Sequence, residues 1–273
     1  MIDMDHSPAG RHRLALLAAA TAIITALAVV AAVPAAAAPS NDDIGSATAV
    51  TALPYGDAAV TVDATTDPDD PSCFGTGPTV WYALTLSEAT PIVADTFGSD
   101  YDTTLSVYTG SPGALTQIAC NDDHFNSQSR VAFNAAARET YYLLVGAAGG
   151  GPGGNLDLRI DRPLTIDLGD SVQARVTRTG EVTLSGTVSC SQPTFVRLFG
   201  TVEQRSHGTT VTGHGYGYVD CDRTGRWTMG IAADRGSLRH GPATFRVIAN
   251  ADDAFVLVED EAAGRVVLKG GGR

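Results

Sequence analysis

Four cysteines, the histidines beyond residue 38 and several runs of acids are the residues of this 273-residue chain whose types and spacing could do chemistry. Cys73, Cys120, Cys190 and Cys221 are an even number, and none forms a Cys-x-x-Cys pair or has a His at ligand spacing. Disulfides are therefore expected over zinc. Four cysteines admit three pairings, and only a division of the chain between Cys120 and Cys190 selects Cys73–Cys120 and Cys190–Cys221. Asp95, Asp100, Asp102, Asn121 and Asp122, with Asp42 near the start, are hard oxygen donors of the kind that ligate calcium. Leu105 stands where an EF-hand loop requires Gly, so any such site is of another kind. The same Asp and Asn types also cap turns through their own backbone, which is the competing reading. No cofactor is required.

Asp122 and Asp123 beside His124 resemble paired acids of a hydrolase, but adjacent strand residues point apart and no nucleophile accompanies them. The chain has no Gly-x-Ser-x-Gly, His-Glu-x-x-His or Ser-x-x-Lys. His124, His207, His214 and His240 could still join a dispersed triad, which geometry alone reveals. A cryptic hydrolase of peptides or glycans is thus the alternative to a non-catalytic protein.

Strand alternation singles out a second group. If Cys190 and Cys221 are bonded across a sandwich, both face its core, which sets the phase of their strands. Val182, Leu184, Gly186 and Val188 then point inward, as do Val211, Gly213, Gly215, Gly217 and Val219. His214, Tyr216 and Tyr218 point outward, joined by Phe195 and Phe199 from the strand at 194–204. The inward glycines leave room for a bulky partner, for which Trp227 is the candidate. An outer face of Tyr, Phe and His suits stacking on sugar rings or docking a protein. A β-bulge at a glycine, coverage by another domain, or simple cross-strand pairing are the readings against it.

The elements that must position these groups are strands. Beyond residue 40, short β-branched and aromatic runs recur between Gly, Pro, Asp and Asn, a pattern of β-sandwiches rather than βαβ units. Strands are expected at 79–86, 91–96, 104–109, 115–120, 130–134, 140–146 and 156–160. A second series is expected at 171–177, 181–190, 194–204, 209–221, 226–231, 243–249, 254–258 and 266–268. Gly149–Gly154 reads as a hairpin loop. Residues 38–163 carry 16 acidic against 4 basic side chains, whereas 164–273 carry 12 against 12. The whole formal charge of −12 belongs to the first stretch, which marks two domains meeting near Arg162-Pro163. The acidic balance argues against a nucleic-acid partner, and 44% hydrophobic residues argue against a disordered polyanion.

Residues 1–37 read as a secretory signal peptide. Arg11, His12 and Arg13 precede an apolar run from Leu14 to Val33, followed by a small-residue exit, with cleavage expected after Ala37. A retained anchor is the competing reading, although Ala dominates the run and inserts weakly. A secreted monomer without a membrane segment is expected.

Asn41-Asp42-Asp43, Thr79-Val80-Trp81-Tyr82, the segment from Asp95 to Thr104, Leu105 to Gly110, Cys120 to Asp123, and Thr140 to Val145 occur in order. Together they resemble the bacterial pre-peptidase C-terminal domain. The resemblance implies a jelly-roll β-sandwich that serves as a non-catalytic appendage of secreted hydrolases, some relatives binding calcium or an insoluble substrate. No peptidase domain precedes these segments, which departs from the family's usual arrangement. Independently of it, Trp81 and Tyr82 should supply one core and one outer aromatic, as should Tyr141 and Tyr142. Thr183 to Cys190, with Cys221-Asp222 and Trp227, resembles an uncharacterised family of secreted bacterial domains with an immunoglobulin-like look, which implies a fold only. The combined expectation is an all-β protein of two β-sandwich domains, 38–163 and 164–273. It would work as an extracellular binding, adhesion or accessory module whose partner is a glycan, a cell-wall polymer or an exported protein; besides the hydrolase, the alternative is a purely structural, calcium-stabilised secreted protein.

Overall fold

Val, Leu, Ile, Tyr and Thr at alternating positions favour extended backbone, where branched and aromatic side chains pack on a pleated surface. Residues 37–75, 77–206 and 208–270 are described by a computed structural model, without the side chain of Ser206. The expected signal segment up to Ala36 and His207 lie outside the described residues. The fold is all-β.

The N-terminal half contains β1 (Thr48–Val50), β2 (Tyr55–Val60), β3 (Thr79–Thr85), β4 (Thr90–Asp95), β5 (Thr103–Ser111), β6 (Ala114–Asn121), β7 (Arg130–Ala135), β8 (Thr140–Ala147) and β9 (Asn155–Asp161). One sheet has the order β2-β9-β4-β7 and the other β1-β3-β8-β5-β6. The chain alternates between sheets in jelly-roll fashion. Between them lies a core of Tyr82, Leu84, Leu105, Leu143 and Val145 against Ile92, Val131, Leu156, Leu158 and Ile160. Strands β8 and β9 belong to different sheets, so Gly149–Gly154 carries the chain across the sandwich and is not a hairpin loop.

The expectation of outer aromatics on β3 and β8 is corrected. Trp81 and Tyr82 face opposite sides of β3, yet both are buried. Tyr82 enters the core, where its hydroxyl donates to Asp57 at 2.8 Å. Burial first, then that bond, pushes its phenol far above the usual range. Trp81 joins Tyr108 and Leu144 in a second apolar layer packed by Ile44, Ala47 and Tyr142. The segment before β1 covers this face: Trp81 N–H donates to the Asn41 carbonyl at 2.8 Å, and the Asn41 amide returns a bond at 3.0 Å. Asp70 accepts the indole N–H at 3.2 Å. Tyr141 is buried in the main core, and Tyr142 is half-buried.

The C-terminal half contains β10 (Ile166–Asp167), β11 (Gln173–Val176), β12 (Val182–Cys190), β13 (Thr194–Ser206), β14 (Thr209–Cys221), β15 (Thr224–Ala233), β16 (Gly241–Asp253) and β17 (Val256–Gly270). β10, β12 and β15 form one layer, and β17-β16-β13-β14 the other. β11 bridges them, antiparallel to β12 and parallel to β17, a connectivity of immunoglobulin type. A short β14–β15 ladder at Gly213↔Ala233 and His214↔Ala232 closes the opposite edge. The core is separate from that of the first half and centres on Leu184, Val188, Leu198, Trp227, Val247 and Ala249.

Both disulfides are present: Cys73–Cys120 and Cys190–Cys221, each with Cα atoms 6.2 Å apart. Cys190 and Cys221 face the core, as the alternation requires. The inward glycines of β14 make room for a partner other than the expected Trp227. A Cβ on Gly215 would meet Ile231 Cδ1 at 2.7 Å, and one on Gly217 would meet Met229 Cβ at 3.1 Å. Trp227 is accommodated instead by Gly186, its register partner, where a Cβ would approach the indole to 2.6 Å.

The halves meet around a buried ion cluster. Arg130 of β7 donates to Asp253 at the end of β16 at 2.8 Å, and both side chains are almost fully enclosed. Asp253 also accepts the Leu164 N–H at 3.3 Å. Beside it, Phe255 at the β16–β17 turn stacks on Phe125 with ring centres 3.7 Å apart.

Candidate functional site

β13 and β14 pair without interruption from Thr194↔Cys221 to Ser206↔Thr209. No bulge shifts the phase, so every second residue of both strands faces away from the core. Phe195, Phe199, Tyr216 and Tyr218 are 52%, 39%, 68% and 64% exposed. The four predicted aromatics therefore share one open sheet face that neither half covers. Phe195 and Tyr218 lie nearly parallel with centres 5.6 Å apart, whereas Phe199 and Tyr216 meet edge-to-face at 5.3 Å. Ile248 of β16, opposite Phe199, extends the apolar strip.

Charged groups between the rings are already engaged. Arg197 grips Asp252 through two contacts of 2.9 and 3.1 Å. Arg246 grips Glu261 through two bonds of 2.8 and 2.7 Å. The Arg246 bond lowers the Glu261 carboxyl below its usual range and raises the guanidinium. His214, also on this face, places Nδ1 3.1 Å from Thr201 Oγ1 and Nε2 3.3 Å from Asp234 Oδ2. The trio has the order of a hydroxyl, imidazole and carboxylate, but its His and Asp are more than half exposed. The ladders on both sides of β13 engage the backbone amides around Thr201, so these are not free to meet a developing oxyanion there. His124 stands on the β6–β7 loop 6.0 Å from the Phe97 ring. His240 borders a depression of about 410 Å³ with Arg178 and Arg239, and among the described residues no carboxylate lines it.

Of the expected calcium ligands, only Asp102 and Asp122 come together. Each, with Asp123, offers a carboxylate oxygen within 4.8 Å of the others. Asp122 Oδ1 is sealed from solvent and lacks a hydrogen-bond partner among the described residues. Burial, then the charges of Asp123 and Asp102, hold the Asp122 carboxyl above the usual range. Three hard oxygens converging on an unsatisfied acceptor fit a hard divalent cation. The remaining candidates are spent elsewhere. Asp42 accepts both the N–H and the hydroxyl of Thr65 at 2.7 and 2.8 Å. Asp100 caps Asn155 with bonds of 2.7 and 2.6 Å, which lowers its pKa. Asn121 accepts the Arg130 N–H at 2.9 Å, and Asp95 is buried beside Arg130.

Sequence reasoning did not find Arg197, Thr201, Asp234, Arg246, Ile248, Asp252 or Glu261 on the face, nor Asp123 as a partner of Asp102. The alternation of β16 would have put Arg246, Ile248 and Asp252 on one side, but the pairing of β16 with β13 has no local signature.

No family model matches the chain, and no curated protein matches it. Among solved structures it is similar to Bacteroides uniformis β-glucuronidase 2 covalently bound to cyclophellitol-6-carboxylate aziridine, at 15% identity and a TM-score of 0.27, covering 71% of this chain and 26% of that one. Bifidobacterium dentium β-glucuronidase complexed with coumarin-3-O-glucuronide gives 12% identity, a TM-score of 0.25, and coverage of 69% and 38%. A GH2 β-galacturonidase from Eisenbergiella tayi bound to glycerol gives 11%, 0.22, and 70% and 35%. The chain thus spans about a quarter to two-fifths of the length of these enzymes. Likeness at this level carries no functional argument.

Proposed function

We propose that the protein is a secreted, non-catalytic binding module that engages an extracellular partner through the outer face of β13 and β14. The single observation that carries this reading is the set of four aromatics held open on one unbroken sheet. A monomeric domain leaves such a face uncovered at a cost in water-exposed apolar surface, and such patches mark interaction sites. Export is supported by the two disulfides, which persist in oxidising compartments. Among the described residues no helix is long and apolar enough to cross a membrane. The first half, with its jelly-roll order and the motifs quoted above, serves in this reading as an accessory module of the pre-peptidase C-terminal type.

The test uses the mature chain from residue 38 onward, applied to cell-wall and glycan matrices and to the producing cell's surface fraction. Retention is expected, and Tyr216→Ala combined with Tyr218→Ala should weaken it about tenfold or more. Absence of any retention by the parent sinks the reading.

Calcium at Asp102, Asp122 and Asp123 is a second, structural part of the proposal, favoured by the unsatisfied Asp122 oxygen. Those residues would hold the ion, and its chemistry would be charge neutralisation, not catalysis. The raised Asp122 pKa means that this carboxyl's contribution to stability is present at low pH and lost as pH rises through that pKa. Calcium should therefore raise the melting midpoint at neutral pH and lose that effect in acid. An unchanged midpoint with chelator at pH 7 removes the site.

A further inference from the structure

Resting on the binding face just proposed, we infer that its ligand is an uncharged polysaccharide. The charge distribution on the face carries the inference. Two guanidinium groups of the face, Arg197 opposite Tyr218 and Arg246 opposite Thr201, each have a carboxylate held in two-point geometry, at 2.9 and 3.1 Å and at 2.8 and 2.7 Å. Asp220, opposite Phe195, and Glu259, opposite Asn250, add acid beside the strip. An anionic polymer laid across the rings would meet carboxylates and find both adjacent cations taken. Arg205 and Arg265 border a separate depression of about 500 Å³ on the same side. Arg205 lies six residues beyond Phe199 along β13, about 20 Å away.

A protein partner fits less well. Interface cores are depleted of charge, and covering Arg197–Asp252 and Arg246–Glu261 with apolar side chains would strip water from four charged groups. A sugar chain avoids that cost. Its axial C–H faces stack on aromatic rings, while its hydroxyls replace water as both donors and acceptors on the ion pairs between them. The near-parallel Phe195 and Tyr218 rings offer one platform, and the Tyr216 ring another along the same strand.

Microcrystalline cellulose and chitin serve as uncharged probes, with polygalacturonate and a sulfated glycan as anionic ones. The mature chain should be retained on at least one uncharged polymer, with the same affinity at about 0.05 and 1 M salt, because stacking is not screened. Combining Tyr216→Ala with Tyr218→Ala should weaken retention about tenfold or more, while combining Tyr216→Phe with Tyr218→Phe keeps most of it. Arg205→Gln, in the separate depression away from the rings, should leave it within about twofold. Salt-sensitive capture of the anionic polymers, lost on Arg197→Gln or Arg205→Gln, overturns the uncharged class. If that capture also falls in the double Ala variant, the binding face itself stands. Self-association or a protein complex abolished by the double Ala variant, without retention on any polysaccharide, likewise overturns the inference and keeps the face. Retention on uncharged polymer indifferent to both tyrosines overturns the face together with the inference.

Discussion

At Gly215 a single methyl group separates a packed sandwich from a strained one. Its Cβ would point at Ile231 Cδ1, 2.7 Å away, and at the carbonyl oxygen of Gly230. Gly215→Ala should cost about 1–3 kcal/mol of unfolding free energy, the range for overpacking a close-packed core. Gly230→Ala meets nothing within 4 Å, so urea unfolding should show it neutral or up to about 1 kcal/mol stabilising. Equal losses at both positions would refute this packing account. Asp95 supplies a pH-dependent case. Its Oδ2 is sealed without a hydrogen-bond partner, and Arg130 Nη1 stands 3.9 Å off. Desolvation raises its pKa, outweighing Arg130, the Phe97 amide and Arg159, which lower it. The folded state thus holds its proton more readily than the unfolded chain, and the contribution of Asp95 declines as pH rises through the folded pKa. Asp95→Asn should match or exceed the parent in urea midpoint at pH 7, and the difference should shrink as pH falls through the raised folded pKa and be gone below the ordinary carboxylate value of about 4. The acids were legible in sequence as potential ligands, but which were spent on Thr65, Asn155 or Arg130 depended on neighbours tens of residues away.

Strands with strong alternation were the most readable elements. β12 and β14 keep the phase expected from Cys190 and Cys221 along their full length. β1, β2 and β10 were missed because Thr48–Val50 and Ile166–Asp167 are too short to show a period. Tyr55–Val60 is rich in Gly, Asp and Ala, which carry little intrinsic β preference. The opposite error occurred in β17, expected as two strands and observed as one. Ala262, Ala263 and Gly264 there are poor strand formers held by pairing with Val247, Arg246 and Phe245 of β16. The β16–β17 turn gives an element-scale prediction. Ala254 and Phe255 adopt φ of 44° and 70°, in a two-residue hairpin position where Asn-Gly is preferred. Ala254→Gly should stabilise the protein by about 0.5–1 kcal/mol in urea unfolding, because a side chain in the left-handed region is strained. Phe255→Gly should yield no such gain, since it forfeits the stack on Phe125 and the edge contact with Phe97. A gain at Phe255 equal to that at Ala254 would show the stack to be inert.

At the scale of the molecule, two apolar cores are joined by one polar clamp. Arg130 reaches Asp253 at 2.8 Å and the Asp253 carbonyl oxygen at 3.2 Å, while Arg159, paired with Asp161 of its own strand at 3.0 Å, donates to Gln192 across the boundary at 2.9 Å. Removing one partner of a buried pair leaves the other charged and unsolvated, typically a loss of about 3–5 kcal/mol. Calorimetry of the parent should give one thermal transition. Asp253→Ala should lower its midpoint and split it, as each core then melts on its own terms. A single unshifted transition in the variant would mean the clamp does not couple the halves.

The chain by itself determined the all-β class and its sandwich architecture, both disulfide pairings and the outward phase of Phe195, Phe199, Tyr216 and Tyr218. These follow from period-two alternation, turn residues, motif order and the parity of two cysteines, all of which are local or nearly so. Tertiary structure decided the rest. Trp81 proved buried because a segment forty residues earlier folds over it, and Gly215 faces Ile231 because the middle of β14 lies beside the end of β15. The ion pairs that neutralise the aromatic face exist only because β13, β16 and β17 are neighbours, with Arg197 brought to Asp252 and Arg246 to Glu261. Contacts across such separations depend on which strands pair, and no single strand's sequence encodes that choice.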